Sequence, residues 1–408
     1  MKKDNKTILF VAGSLEAVPA IKRAKEMGYH TVVSDGNEHA PCFSHCEDTI
    51  IASTYDVADS TAKAVHFHQT VRPIDGVICV ASDVPLTVAT IAKELGLPGI
   101  SVESAQIAQD KLLMKERFKR DNIAIPWFKQ VDSPEHLKSI AAVSPNALII
   151  KPVDSRGARG VQRLLPNYDL TSAFFTAKEN SPTGRVMVEE YIDGPQVSTE
   201  SIVLDGSMFT PGFSDRNYSL IDKFAPHMIE DGGDLPSFLA TDVQDKIKQL
   251  VAAGAASMGI TRGVVKGDIV VKNGEPYIIE LAARLSGGYF CTHEIPMSTG
   301  VDLVGAALRI AVNDPVDEKT LIPVRNDFIS QRYMFPQPGV VHRITGVQKV
   351  SQREEIGLLE IRVQPGDRVE EIKSHPGRAG VVIARGKSRE DAARNAEQAI
   401  LDIHFEVK

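Results

Sequence analysis

Two carboxylates and an arginine are spaced for phosphate chemistry in the stretch Gly263 to Tyr289, GVVKGDIVVKNGEPYIIELAARLSGGY. Ile269–Val271 and Tyr277–Ile279 are apolar arms around Asn273-Gly274, a dipeptide that marks a β-hairpin. Asp268 and Glu280 stand at the far ends of these arms. Arg284 follows one turn later, then Gly287-Gly288. Two acids beside an arginine suit a hard cation that handles phosphate. The acids must then share a face. A tight turn at Asn273-Gly274 sets Asp268 opposite Ile279, and a longer connection sets it opposite Glu280. Pro276 cannot donate a ladder hydrogen bond, so the longer connection is expected, with Asp268 facing Glu280. An ordinary solvated hairpin would carry the same residues.

A second phosphate-type feature lies upstream, in residues 147–163, ALIIKPVDSRGARGVQR. Lys151 ends a buried strand, where a lysine needs an anionic partner. The loop Asp154-Ser155-Arg156-Gly157-Ala158-Arg159-Gly160 is glycine-rich and cationic. Its N–H groups can cradle phosphate oxygens, and its arginines add bidentate donors. It lacks the GK[ST] of a Walker A loop. An ordinary hairpin loop is the alternative. Lys111 and Lys115 lie four residues apart on one face of a single helix expected from Ser104 to Asp121, a spacing usual for solvated charge. After the strand Val186–Val188 comes Glu189-Glu190-Tyr191-Ile192. A strand leaving its sheet there exposes an N–H and a C=O that a purine could read.

The elements that must position these groups follow from the rest of the chain. A length of 408 residues implies several subdomains. The net charge of −7 argues against nucleic-acid and polybasic membrane partners. No apolar run reaches membrane-spanning length. The basic start precedes an apolar run of only Ile8 to Gly13, which reads as a buried strand rather than a signal peptide. The four cysteines lack CxxC spacing, as in a reduced cytoplasmic protein. Cys42, His45 and Cys46 have no nearby fourth ligand for zinc.

Residues 7–105 alternate strand and helix, which implies a parallel sheet with right-handed crossovers. Its strand ends carry Gly13-Ser14-Leu15-Glu16, Asp35-Gly36-Asn37 and Ser82-Asp83, where ligands gather in such sheets. The absence of GxGxxG gives no support to a nicotinamide cofactor. Phe213 to Leu239 reads as a long substrate loop. Helices are expected at Asp242–Met258 and Val301–Val312. The tail 331–408 reads as mixed β/α, with strands at Val340–Ile344, Leu358–Val363 and Ala379–Arg385. Ser388 would cap a closing helix.

In this order, the pieces resemble the ATP-grasp superfamily, and within it the carboxylate–amine ligases of the amino-acid ligase kind. The resemblance spans nearly the whole chain. It implies an α/β and α+β architecture: an ATP-grasp fold with an N-terminal Rossmann-like domain (1–105) and a two-lobed nucleotide-binding core (106–190 and 191–325). A small C-terminal β/α domain (326–408) completes it. It implies that Lys111 and Lys151 contact the nucleotide phosphates and that Ser155, Arg156, Gly157, Arg159 and Gly160 close over them. Glu189, Glu190, Tyr191 and Ile192 would hold adenine, and Glu200 would lie near the ribose or phosphate channel. Asp268 and Glu280 would bind magnesium or manganese. Arg284, with Lys151, would be catalytic.

Three positions depart from the family pattern: Ala282 where asparagine is usual, Asp268 where glutamate is usual, and Gln196 where many relatives have an acid. The implied activity is amide formation from a small carboxylate and an amine, through an acyl phosphate, releasing ADP and phosphate, with amino acids as candidate substrates. A homodimer in the cytoplasm is implied as well. The alternatives are a purine-pathway ligase or carboxylase acting on a ribonucleotide, and a catalytically degenerate nucleotide-binding module.

Overall fold

A computed structural model describes residues 5–408, so the basic start at Met1–Asp4 lies outside the described residues. Four sheets organise the described residues. The first is parallel and four-stranded, ordered Asp48–Ile51, His30–Asp35, Thr7–Val11, Gly76–Ile78. Thr7–Val11 is buried throughout, as expected of a parallel strand covered on both faces. The expected strand–helix alternation is therefore present.

The second sheet is small and antiparallel, ordered Phe128–Val131, Val186–Glu190, Leu148–Pro152, Gln162–Leu164. Helices Pro134–Val143 and Leu170–Glu179 pack on it through Leu137, Ile140, Phe174 and Ala177. The single helix expected from Ser104 to Asp121 is two, Val102–Gln109 and Lys111–Arg120. Asp110 separates them. Its backbone is extended, and its Oδ1 accepts the Leu113 N–H at 2.9 Å. An aspartate that caps a helix in this way ends the one before it. The break sends Lys111 toward the site.

The third sheet has eight strands. Its order is Glu275–Ala282, Gly263–Lys272, Gln196–Leu204, Ser207–Asn217, Gly232–Leu235, Phe328–Met334, Gly380–Gly386, Ile356–Ile361. The last three come from the tail, so one sheet runs without a break across the boundary expected at residue 326. Phe213 to Leu239 is not the expected long loop. It holds the end of strand Ser207–Asn217, the short helix Ile221–Phe224 and strand Gly232–Leu235, which joins the two halves of the sheet. Glycines and polar residues on these strands masked the alternation that would have marked them. A three-stranded sheet of Arg368–Val369, Gly339–Thr345 and His404–Val407 completes the tail. The closing helix Arg389–Leu401 starts at Ser388, which caps the Asp391 N–H as expected.

The largest core joins the first and third sheets. Helix Leu303–Ala311, buried almost all round, packs with Ile8, Phe10, Ala20 and Ile21. A helix apolar on every side must be covered on every side. It fixes the N-terminal domain against the hairpin that carries the acids.

Candidate active site

Strands Gly263–Lys272 and Glu275–Ala282 form the expected hairpin, and Asp268 pairs with Glu280. The longer connection is absent. Asn273 and Gly274 form a two-residue turn with φ of 53° and 78°, and Lys272 pairs directly with Glu275. Both φ values are positive, as a type I′ turn requires. The extra residue sits instead at Ile279, where the register shifts between the pairs Ile269–Ile278 and Asp268–Glu280. A β-bulge offsets pairing as an extra loop residue would. Pro276 is tolerated because its strand is at the sheet edge. The bulge has a second effect: Ile279 and Glu280, which a regular strand would send to opposite faces, both line the same cavity.

That cavity, about 710 Å³, is walled by all the domains. It is lined by Lys111, Lys151, Ser155, Arg156, Gly157, Arg159, Glu189, Glu190, Tyr191, Ile192, Asp268, Glu280 and Arg284. Most residues expected at the site are thus brought together. Glu200 and Gly160 are not in the lining. Glu200 is fully buried, and its carboxylate accepts the Ser286 N–H at 2.8 Å and the Ser286 hydroxyl. It holds the turn before Gly287-Gly288. Burial pushes its pKa up to about 7 against the opposing Ser286 hydrogen bonds. Gly160 has φ of 70° and packs on Pro152 and Asn180, so it turns the loop from behind.

Charge is tightly paired at the lysine end. Lys115 is buried, not solvated, and lies 2.9 Å from Glu189, which also pairs with Lys151. Burial disfavours the Glu189 charge, but the two ammonium groups outweigh it and hold the carboxyl below its usual range. Burial lowers the Lys115 pKa despite Glu189. Glu189 therefore sets the two lysines in place. Lys111 donates to the Ser155 carbonyl at 2.8 Å and lies 3.1 Å from Glu280, linking the glycine-rich loop to the hairpin.

The loop itself is tied on three sides. Asp154 accepts the Ser181 hydroxyl at 2.6 Å, Arg156 donates to the Asp83 carbonyl at 3.0 Å, and Gly157 O accepts the His375 N–H at 3.0 Å. Gly157 has φ of 62°, a left-handed conformation that glycine adopts without strain. At the strand exit, the Glu190 and Tyr191 N–H groups bond to Trp127 O and Ala147 O. The Ile192 N–H takes no backbone carbonyl among the described residues. Apolar Ile149, Val161, Val270 and Ile279 line the cavity with it. This edge could accept a planar base.

Asp268 is crowded by cations that went unnoticed in the sequence. Arg216 lies 2.9 Å from Asp268 Oδ1, and the Lys266 ammonium bonds the same oxygen. Burial opposes the Asp268 charge, but Arg216 and Lys266 outweigh it and hold the carboxyl well below the usual range. Arg216 also clamps Glu230 with two hydrogen bonds, at 3.0 and 2.6 Å. Lys266 could have been found, since it alternates with Asp268 on one strand face. Arg216 lay hidden in the stretch read as loop.

Among the described residues no group of three or more His, Cys, Asp or Glu is gathered to hold a metal. Asp268 and Glu280, facing each other on the cavity wall, fit magnesium as two carboxylates whose shell phosphate oxygens and water complete. Cys42 donates to Ser14 O and is no part of a metal cluster.

A glycine-rich loop, buried lysines, an apolar strand exit and an acid-bearing hairpin thus gather around one cleft. The chain carries an ATP-grasp domain: residues 108–288 match the ATP-grasp domain and residues 21–99 the ATP-grasp N-terminal domain. Residues 332–408 match L-amino acid ligase C-terminal domain 2. L-amino acid ligase from Bacillus licheniformis superposes with a TM-score of 0.84 at 19% identity, covering 100% of both chains. Phosphoribosylglycinamide synthetase from Anaerococcus prevotii gives 0.76 at 19% identity, over 99% of this chain and 100% of that one. The carbamoyl phosphate synthase large chain of Corynebacterium glutamicum is 22% identical over 329 residues, 76% of this chain and 28% of that protein. The chain spans a third or less of the length of the curated relatives it matches. No helix among the described residues is long and apolar enough to cross a membrane.

Proposed function

We propose that the protein is an ATP-dependent carboxylate–amine ligase. One observation carries the reading: a single cavity holds the lysines, the cationic glycine-rich loop, the facing acids and Arg284. A carboxylate is a poor electrophile. Its oxygen attacks the terminal phosphorus of ATP, the bond to ADP breaks, and an acyl phosphate forms. An amine then attacks the acyl carbon, phosphate leaves, and the amine nitrogen loses its proton to give an amide. Such transfer needs alignment and charge neutralisation more than covalent help. Lys111, Lys151 and Arg156 would hold the phosphates, and Arg284 would steady the transferred group. Glu190 and Ile192 would bind adenine through their backbones. The glycine-rich loop would exclude water, which hydrolyses acyl phosphates. Asp268 and Glu280 would hold magnesium, or manganese, which when bound neutralises phosphate charge. The four free cysteines suit a reduced, cytoplasmic setting. A homodimer is proposed with them on resemblance alone.

A ribonucleotide substrate is less well served. Its phosphate would need a free cation near Glu16 and Ser82. Arg362 reaches that end, but it is bound to both Glu16 and Glu360 at 2.6 Å. One observation favours a binding-only protein, namely that Arg216 and Lys266 already neutralise Asp268. ADP release with magnesium, measured against amino acids, ribonucleotides and bicarbonate, tests all three readings. The ligase reading expects release with a carboxylate and an amine, and its near loss in Asp268→Asn and Glu280→Gln. Tight ATP binding with no release from any mixture would leave only the binding module.

A further inference from the structure

Glu294 is a carboxylate in the cavity wall that the proposed chemistry leaves unused. It is 2% exposed, and its Oε2 has no hydrogen-bond partner. Its charged neighbours are the acids Glu230 and Asp234, held by Arg216 and Arg332 respectively, and Arg332 itself; burial and the two acids push its carboxyl well above the usual carboxylate range. The Ser214 hydroxyl hydrogen-bonds the carboxyl, and Oε2 is the oxygen left over. A buried carboxyl oxygen left without a donor is costly, and the cost is recovered when a ligand supplies one.

The backbone around it is built to make space. Tyr289 has φ of 64° and opens a π-helical turn, Phe290–Glu294, in which the Glu294 N–H bonds Tyr289 O at 3.1 Å. Such turns are rare and recur at functional sites. Two glycines keep the approach open. A Cβ on Gly233 would stand 2.6 Å from Ser214 Oγ and 3.8 Å from Glu294 Oε2, and one on Gly288 would stand 2.6 Å from the Tyr333 hydroxyl oxygen. Ser214, Gly233, Gly288, Phe290, Glu294 and Tyr333 all line the cavity. The subsite is thus acidic and narrow.

We propose that Glu294 anchors a protonated amino group, carried by one substrate, that takes no part in bond formation. This rests on the ligase reading. The amine that attacks an acyl phosphate must be neutral to be nucleophilic, and a buried carboxylate keeps an ammonium protonated. The group held at Glu294 is therefore a second, non-reacting amine. It can be the α-amino group of the acid substrate or a distal amine on a side chain. Both present the same alkylammonium.

Titration calorimetry on the full chain, saturated with ADP and magnesium, tests this with two matched pairs: alanine against propionate, and lysine against norleucine. The first pair reads an α-amino group and the second a distal one. The wild type is expected to favour the member bearing the extra amine by about tenfold or more in at least one pair, the worth of one charge-assisted hydrogen bond. Glu294→Gln should erase that preference while ADP affinity stays unchanged. Gly233→Ala, which fills the approach while keeping the carboxyl, should weaken the same member, and it decides the matter if Glu294→Gln fails to fold. Equal binding within both pairs by the wild type overturns the proposal, as does a preference that survives in the variants. Loss of the ligase reading looks different: ADP release is then absent whatever these pairs do.

Discussion

Arg284 and Asp83, 201 residues apart in the chain, meet at 2.5 Å and join the hairpin lobe to the N-terminal domain. The Ala81 N–H donates to Leu285 O at 3.1 Å beside them, so backbone and side chain dock together. Burial disfavours the Asp83 charge, yet Arg284 outweighs it and holds the carboxyl below its usual range. Arg284 is thereby aimed along the cavity wall rather than left to rotate. Arg284→Ala is expected to lower kcat by roughly 100-fold or more, as loss of a preorganised donor does. Asp83→Asn should cost less, and steady-state ADP release compares the two. Equal turnover by wild type and Arg284→Ala would remove Arg284 from the chemistry.

Lys266 stands directly across the hairpin from Ala282 and turns its ammonium onto Asp268. A protein cation thus sits on a carboxylate proposed to hold magnesium. Lys266→Met should tighten magnesium, lowering the concentration for half-maximal activity, because one of the two cations on Asp268 is removed. The same change should lower kcat, since one cation near the phosphates is lost. A magnesium titration of ADP release reads both, and an unchanged half-saturation point would show that Lys266 does not compete with the metal.

Glu189 sits between two buried lysines, 2.9 Å from Lys115 and also paired with Lys151. Glu189→Gln leaves both ammonium groups without a counter-charge. Breaking a buried pair from one side costs about 3–5 kcal/mol. Urea unfolding should show a loss of this order, and calorimetry should show weaker ATP binding as Lys151 loses its position. A stability change under about 1 kcal/mol would mean that water reaches these lysines.

Glu200 links stability to pH. Its folded pKa of about 7 lies above the ordinary 4.5, so between those values the folded state binds more protons than the unfolded. Its contribution to stability is full below about pH 4.5 and is lost as pH rises through 7. The total is roughly 3 kcal/mol at one and a third per pKa unit. Glu200→Gln should lack this slope. Denaturation curves from pH 5 to 8 would therefore show the wild type losing ground to the variant as pH rises, and parallel curves would contradict it.

The sequence alone determined what local pattern can encode. Alternating strand and helix marked the N-terminal sheet, Asn273-Gly274 marked the hairpin, and Ser388 marked the closing helix. The types and order of Lys111, Lys151, the glycine-rich loop, Asp268, Glu280 and Arg284 pointed to one site, and these residues do line one cavity. Tertiary structure decided the rest. A long turn and a bulge at Ile279 place the same acids face to face, and sequence spacing does not separate them. Lys115 has the spacing of a solvated lysine, and only packing against Glu189 buries it. Glu200 turned to Ser286, and Arg216 and Lys266 closed on Asp268, because charged groups removed from water must find partners wherever the fold brings them. Those partners come from strands far apart in the chain, so no local window of sequence contains them.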